Sequence, residues 1–83
     1  MKIWKTGEPC RITAGGRTVN GRIELASPNG LSVFICFDGL LDPGGELGGY
    51  AGGMALSWNG RAFEDLMGRG IVELAERVTL PRE

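Results

Sequence analysis

Arg17-Thr-Val-Asn-Gly-Arg-Ile-Glu-Leu-Ala26, Ser27-Pro-Asn-Gly30 and Leu31-Ser-Val-Phe-Ile-Cys-Phe37 follow one another without interruption, and their reading decides the fold. The first stretch alternates. Val19, Ile23 and Leu25 point one way, and Thr18, Arg22 and Glu24 the other, the period of two expected of a half-buried strand. Gly21 falls on the inward side, where a glycine marks a bulge, a bend or a close backbone approach. Ser27–Gly30 is a turn, with Pro suited to its second position and Asn-Gly tolerant of positive φ. The third stretch is almost continuously apolar, rich in β-branched and aromatic residues, and reads as a strand buried on both faces or nearly so, ending at Asp38-Gly39. With Val33 and Ile35 pointing in, Phe34 and Cys36 point out.

The same rhythm extends in both directions. Cys10–Thr13 is a short strand, and Ala14-Gly15-Gly16 a hairpin turn. Downstream, Met54, Leu56 and Trp58 alternate on one face, followed by Asn59-Gly60, a two-residue hairpin signal. Residues 61–67 fit either a short helix or a returning strand; the preceding Asn-Gly favours the strand. Gly68-Arg69-Gly70 turns the chain into a strand at Ile71–Leu74. Val78 and Leu80 are expected to extend the pairing or cover an edge, and Pro81 to end the ordered part. About six short strands in 83 residues predict a single mainly-β domain over 1–83, a small antiparallel barrel, SH3-like or related, because closure removes sheet edges. The expected core is Ile12, Val19, Ile23, Leu25, Val33, Ile35, Phe37, Leu56, Trp58, Phe63, Val72 and Leu74.

Composition agrees. Fifteen of the 83 residues are Gly, more than twice the usual share of roughly 7%. That argues against long helices, and the absence of a Gly at every third position excludes collagen. Hydrophobic residues make up 42% of the chain, charged residues 23%, and the net charge is −1, unlike a disordered segment or a bulk polyanion binder. Residues 1–24 nevertheless carry five basic and two acidic groups, while residues 25–60 carry three acidic groups and no Lys or Arg. No apolar run approaches the roughly 18 residues of a membrane span, and Met1–Lys5 lacks the apolar stretch of a signal peptide. A cytoplasmic protein with Cys10 and Cys36 reduced is the expectation.

The segment 42–53 breaks the rhythm. Gly pairs recur there every four residues (44–45, 48–49, 52–53), few side chains could form a core of its own, and loops of this length are uncommon in compact domains. It is expected to be either a flap that orders on contact with a partner or a passive spacer. A phosphate loop is disfavoured, because no Lys or Arg lies between residues 23 and 60 and Asp42 and Glu46 would repel phosphate. If the loop binds a partner, Asp42, Glu46, Leu47 and Tyr50 are its contacts.

Catalytic chemistry is sparse. There is no His, which removes the commonest general base and neutral metal ligand. The two cysteines form no CxxC pair, and no G-x-S-x-G occurs. Cys10, beside Arg11, is a better candidate for a reactive thiol than Cys36, which lies in the most apolar run. The expectation is therefore no enzyme, no cofactor and no metal.

Residues 10–38 resemble the first half of an Sm-like barrel: a short strand, a Gly turn, Arg17–Gly21 entering a bent strand, then a hydrophobic strand ending in Asp38-Gly39. The second Sm motif, which carries the family's RNA contacts, is not visible in 54–75. Ser27 and Gly30 also resemble part of the cyclic-dinucleotide motif of PilZ barrels, although Leu25 stands where an acidic or amide residue belongs and the paired arginines are missing. Fold-level likeness does not give function.

The functional expectation is a non-catalytic binding or adaptor module acting through protein–protein contacts, self-associating, with Trp4 and Phe34 as contact residues. The alternative is a nucleic-acid-binding small barrel using Arg11, Arg17 and Arg22.

Overall fold

The structure, a computed structural model, describes residues 2–45 and 49–77. It is a closed six-stranded antiparallel barrel: β1 (Pro9–Ala14), β2 (Arg17–Ala26), β3 (Ser32–Leu41), β4 (Tyr50–Trp58), β5 (Phe63–Asp65) and β6 (Ile71–Glu76). Each strand pairs with the next, and β6 closes on β1 through Cys10–Thr13 opposite Glu73–Glu76. There is no helix among the described residues, so residues 61–67 return as a strand, shortened to Phe63–Asp65.

Alternation builds the interior. Cys10, Ile12 and Ala14 of β1, Ile23 of β2, Val33, Ile35, Phe37 and Leu41 of β3, Met54 and Leu56 of β4, Phe63 of β5 and Val72 of β6 are all buried. Val19, Trp58 and Leu74 pack against this core while remaining partly exposed. The hairpin between β1 and β2 is as tight as two residues allow: Ala14 faces Arg17, and Gly15 and Gly16 have φ of 60° and 77°. Two successive positive φ values match the strand twist and suit glycine.

Gly21 supplies the expected close approach. A Cβ there would overlap the Cys36 carbonyl oxygen and stand 2.6 Å from Ile12 Cδ1 and 3.2 Å from Phe37 Cβ. Its bare backbone lets β1, β2 and β3 curve around the core.

Several expectations are corrected. Leu25 is not in the core but 64% exposed. Ile23 faces Ile35 while Leu25 faces Phe34, so β2 carries one extra residue against β3; that bulge shifts the alternation and turns Leu25 outward. Trp4, expected to be a contact residue, is only 4% exposed, and it lines one groove together with Trp58, Phe63 and Val72. The segment carrying it is tied down: Gly7 N–H donates to Ile23 O at 2.6 Å, the Glu8 carbonyl accepts from Ile23 N–H at 2.8 Å, and Thr6 Oγ1 accepts from Ala26 N–H at 3.0 Å. Lys2 Nζ pairs with Glu8 at 2.7 Å and Glu76 at 3.1 Å, and lies 4.8 Å from the Trp4 ring centroid.

β3 does not end at Asp38-Gly39. It continues to Leu41 through a register shift between Cys36 and Leu40, with Gly39 at φ 105°, which buries Leu41 completely. Tyr50–Gly53 consequently belong to β4, and the connection is 42–49 rather than 42–53. Asn59-Gly60 is part of a four-residue connection, since Trp58 faces Phe63; Asn59 Oδ1 accepts from the N–H groups of Arg61 and Ala62 at 2.8 and 2.9 Å. The expectations for Val78, Leu80 and Pro81 lie outside the described residues.

Candidate functional site

Two constellations stand out, an apolar row on the barrel exterior and an ionic cluster at one end. The row follows from register. Leu25 faces Phe34, Phe34 faces Ala55, and Leu66 N–H, just past β5, donates to Ala55 O at 3.3 Å. Leu25, Phe34 and Leu66 therefore lie side by side across β2, β3, β4 and the end of β5, exposed by 64%, 42% and 62%. A Cβ on Gly53 would stand 3.2 Å from Cε2 and Cζ of Phe34, so this glycine leaves room for the ring to lie over β4. A groove of about 380 Å³ runs along the row, lined by Leu25, Ala26, Ser27, Ser32, Val33, Phe34, Ala55, Leu56 and Leu66. Phe34 lies where strand alternation puts it. Leu25 joined the row through a bulge, and Leu66, which with Phe63 and Met67 fits the helical alternative for 61–67, joins it just past the strand that this segment forms instead.

The cluster involves the loop residues. Arg69 Nη2 donates to Asp42 Oδ1 at 2.8 Å, and its guanidinium lies 5.5 Å from the Tyr50 ring centroid. Tyr50 Oη donates to Asp65 Oδ1 at 2.8 Å. Asp65 is 2% exposed, and its Oδ2 has no hydrogen-bond partner. The neighbouring Asp65 carboxylate, followed by burial, pushes the Tyr50 phenol above its ordinary value, with Arg69 opposing. Asp42 and Tyr50 are thus held against the barrel by β5 and the turn after it. Glu46 and Leu47 lie outside the described residues. Asp65 and Arg69 were not anticipated; the only signal was an acidic pair, Glu64-Asp65, preceding a glycine turn.

The three arginines are not all brought together. Arg11 faces Asn20 and Arg22 faces Pro9 on the outer surface of β1 and β2, within a diagonal neighbour's spacing of about 7–8 Å. Arg22 Nη2 pairs with Glu24 Oε1 at 3.1 Å. Arg17 faces Ala14 at the hairpin, in register with the inward-facing positions of β2 rather than with Arg11 and Arg22.

The cysteines sit on opposite sides of the wall, Cys10 inside and Cys36 outside, and both are free. Burial pushes the Cys10 thiol up to about 11, so Cys10 is not the better candidate of the two for a reactive thiol: its thiolate is suppressed and enclosed. Cys36 Sγ donates to Glu24 Oε1 at 3.4 Å, and its thiol is raised as well, first by desolvation and then by that carboxylate. Among the described residues no three His, Cys, Asp or Glu side chains converge on a metal position, and no helix is long and apolar enough to cross a membrane.

Comparison with protein-family models, with curated proteins and with solved structures finds no match.

Proposed function

We propose that this chain is a non-catalytic binding module that acts through protein–protein contacts on the outer face of β2, β3 and β4. One observation carries the reading: Leu25, Phe34 and Leu66, all large and all exposed, lie in one row. Scattered exposed apolar side chains are ordinary on a protein surface, whereas contiguous ones rimmed by polar residues mark interaction sites. Ser27, Ser32, Arg22 and Glu24 form that rim, and the Phe34 ring is the kind of rigid anchor that dominates interface energetics.

The test is photo-crosslinking from a benzophenone amino acid placed at position 34, with position 18 on another part of the exterior as control. Protein adducts arising from position 34 and not from position 18 are expected. Equal or absent adducts at both would end this reading. The arginine surface supports nucleic-acid binding less well, because Glu24 already neutralises Arg22 and the net charge is −1. It predicts oligonucleotide binding that collapses with added salt.

A further inference from the structure

Building on the protein-binding reading, we infer that the occupant of the Leu25–Phe34–Leu66 row is a second copy of this chain, two barrels meeting face to face about a two-fold axis. Charge is the first argument. No lining residue of the groove is charged, and Arg22 and Glu24 beside it neutralise one another at 3.1 Å. Two identical faces of this kind meet without opposing like charges. A charged partner would find nothing there to complement it.

Shape is the second argument. A two-fold interface requires that one patch carry both projection and recess, since residue i touches j and j touches i. This row does. Leu66 and its neighbour Met67, 62% and 74% exposed, project from the turn after β5, directly beside the groove that Leu66 lines. The side chain that would fill the partner's groove thus stands at the edge of its own.

The closed barrel supplies the third. With β1 to β6 paired in a ring, association by adding strand to strand is disfavoured, and a copy docks through side chains. A standard interface takes about 800 Å² per partner, roughly 15% of the 5371 Å² of this chain. The row, with Met67 beside it, would form the apolar centre of such a patch. The outcome is a reversible dimer governed by concentration.

Light scattering coupled to size-exclusion chromatography over a hundredfold concentration range tests this. The wild type is expected to pass from monomer to dimer mass, and Leu25→Glu and Phe34→Glu each to raise the dimer dissociation constant at least tenfold. Both side chains are exposed, so the variants should fold; circular dichroism checks this, and Leu66→Glu replaces either one that does not. Thr18→Glu should leave the dimer unchanged. A wild type that stays monomeric throughout, or a dimer indifferent to all three row variants, overturns the inference. A monomer that still gives adducts from position 34 overturns the second copy while leaving the protein-binding reading intact; a monomer without adducts overturns both.

Discussion

Removing the Tyr50 hydroxyl should cost far more than one surface hydrogen bond. Asp65 is 2% exposed, and its Oδ1 accepts from Tyr50 Oη at 2.8 Å while Oδ2 has no partner. Tyr50→Phe therefore leaves a buried carboxylate with neither oxygen satisfied by a side chain. Hydrogen bonds to charged groups contribute roughly 1.5–3 kcal/mol, and stranding one partner carries its full desolvation penalty. A loss of about 2 kcal/mol is expected. In urea, with a slope near 1 kcal/mol per M for a small domain, the midpoint should fall by about 2 M. Trp4 and Trp58 provide the fluorescence signal. The asymmetry is the sharper test: adding Asp65→Leu to Tyr50→Phe removes both partners with similar shape and should recover at least half of the loss. Tyr50 is the single tyrosine, so phenolate absorbance reports it alone. Its midpoint should lie above the ordinary 10.0, because the phenol proton is held in the hydrogen bond to Asp65, with burial and the charge of that carboxylate adding to the rise, and it should move down in Asp65→Asn. The native state then holds this proton to higher pH than the unfolded chain, so stability falls as pH climbs past 10. A Tyr50→Phe change within about 0.5 kcal/mol of wild type, or a double variant weaker than the single, would refute the account.

Gly21→Ala should lower stability by about 1–3 kcal/mol, because the new methyl meets the Cys36 carbonyl and Ile12 with no free space to take it up; a thermal melt measures it, and a shift below about 2 °C would mean that the walls yield. Ellman's reagent should modify Cys36 in the native protein and Cys10 only on unfolding, given a thiol that is fully buried and pushed up to about 11. The same raised value makes Cys10 stabilising below its ordinary value of 9.0 and progressively less so as pH rises from there towards 11. Asp42→Asn should cost about 1 kcal/mol by weakening the Arg69 pair, whose side chains are only 25% and 21% exposed. It should also speed proteolytic cleavage of the 42–49 connection relative to the rest of the chain.

The barrel was legible because most of its strands obey one period. Ile12, Ile23, Val33, Ile35, Phe37, Leu56, Phe63 and Val72 are inside where alternation puts them, and Gly15-Gly16 turns where two positive φ values are needed. What escaped lies at breaks in the period. A bulge adds a residue whose presence depends on how two strands meet, so nothing in Ile23-Glu24-Leu25 announces that Leu25 will leave the core. The second shift, between Cys36 and Leu40, hid the continuation of β3 and made β4 look shorter than it is. Trp4 escaped for another reason: it sits in an irregular segment, whose burial depends on hydrogen bonds to β2 that have no local signature. Of the candidate site, Phe34 could be read from alternation, but its neighbours could not. Leu25 needed the bulge, and Asp65 and Arg69 needed the 42–44 and 66–70 segments to come together in space.

The bulge in β2 links the fold to the candidate site. Strict alternation would bury Leu25 and leave the outer position beside Phe34 to a polar residue. Instead the register shift exposes a leucine at the one place on β2 where it meets Phe34, and Ala55 and Leu66 complete the line. Stability alone gives no reason for this. A buried leucine contributes roughly 1.5–3 kcal/mol relative to an exposed one, a substantial share for a domain of 83 residues that buries only some 60–65% of its unfolded surface. A bulge that gives up that contribution and aligns three large apolar side chains on the exterior is understandable if the face is covered in the working state. Gly53 fits the same logic, since a side chain there would lift the Phe34 ring off β4 and spoil the flat row. Gly53→Ser should therefore disturb association through Phe34, and because its Cβ would also stand 2.8 Å from the Ile35 carbonyl oxygen, it should strain the β3–β4 pairing as well, so a lower thermal midpoint is expected beside the weaker association.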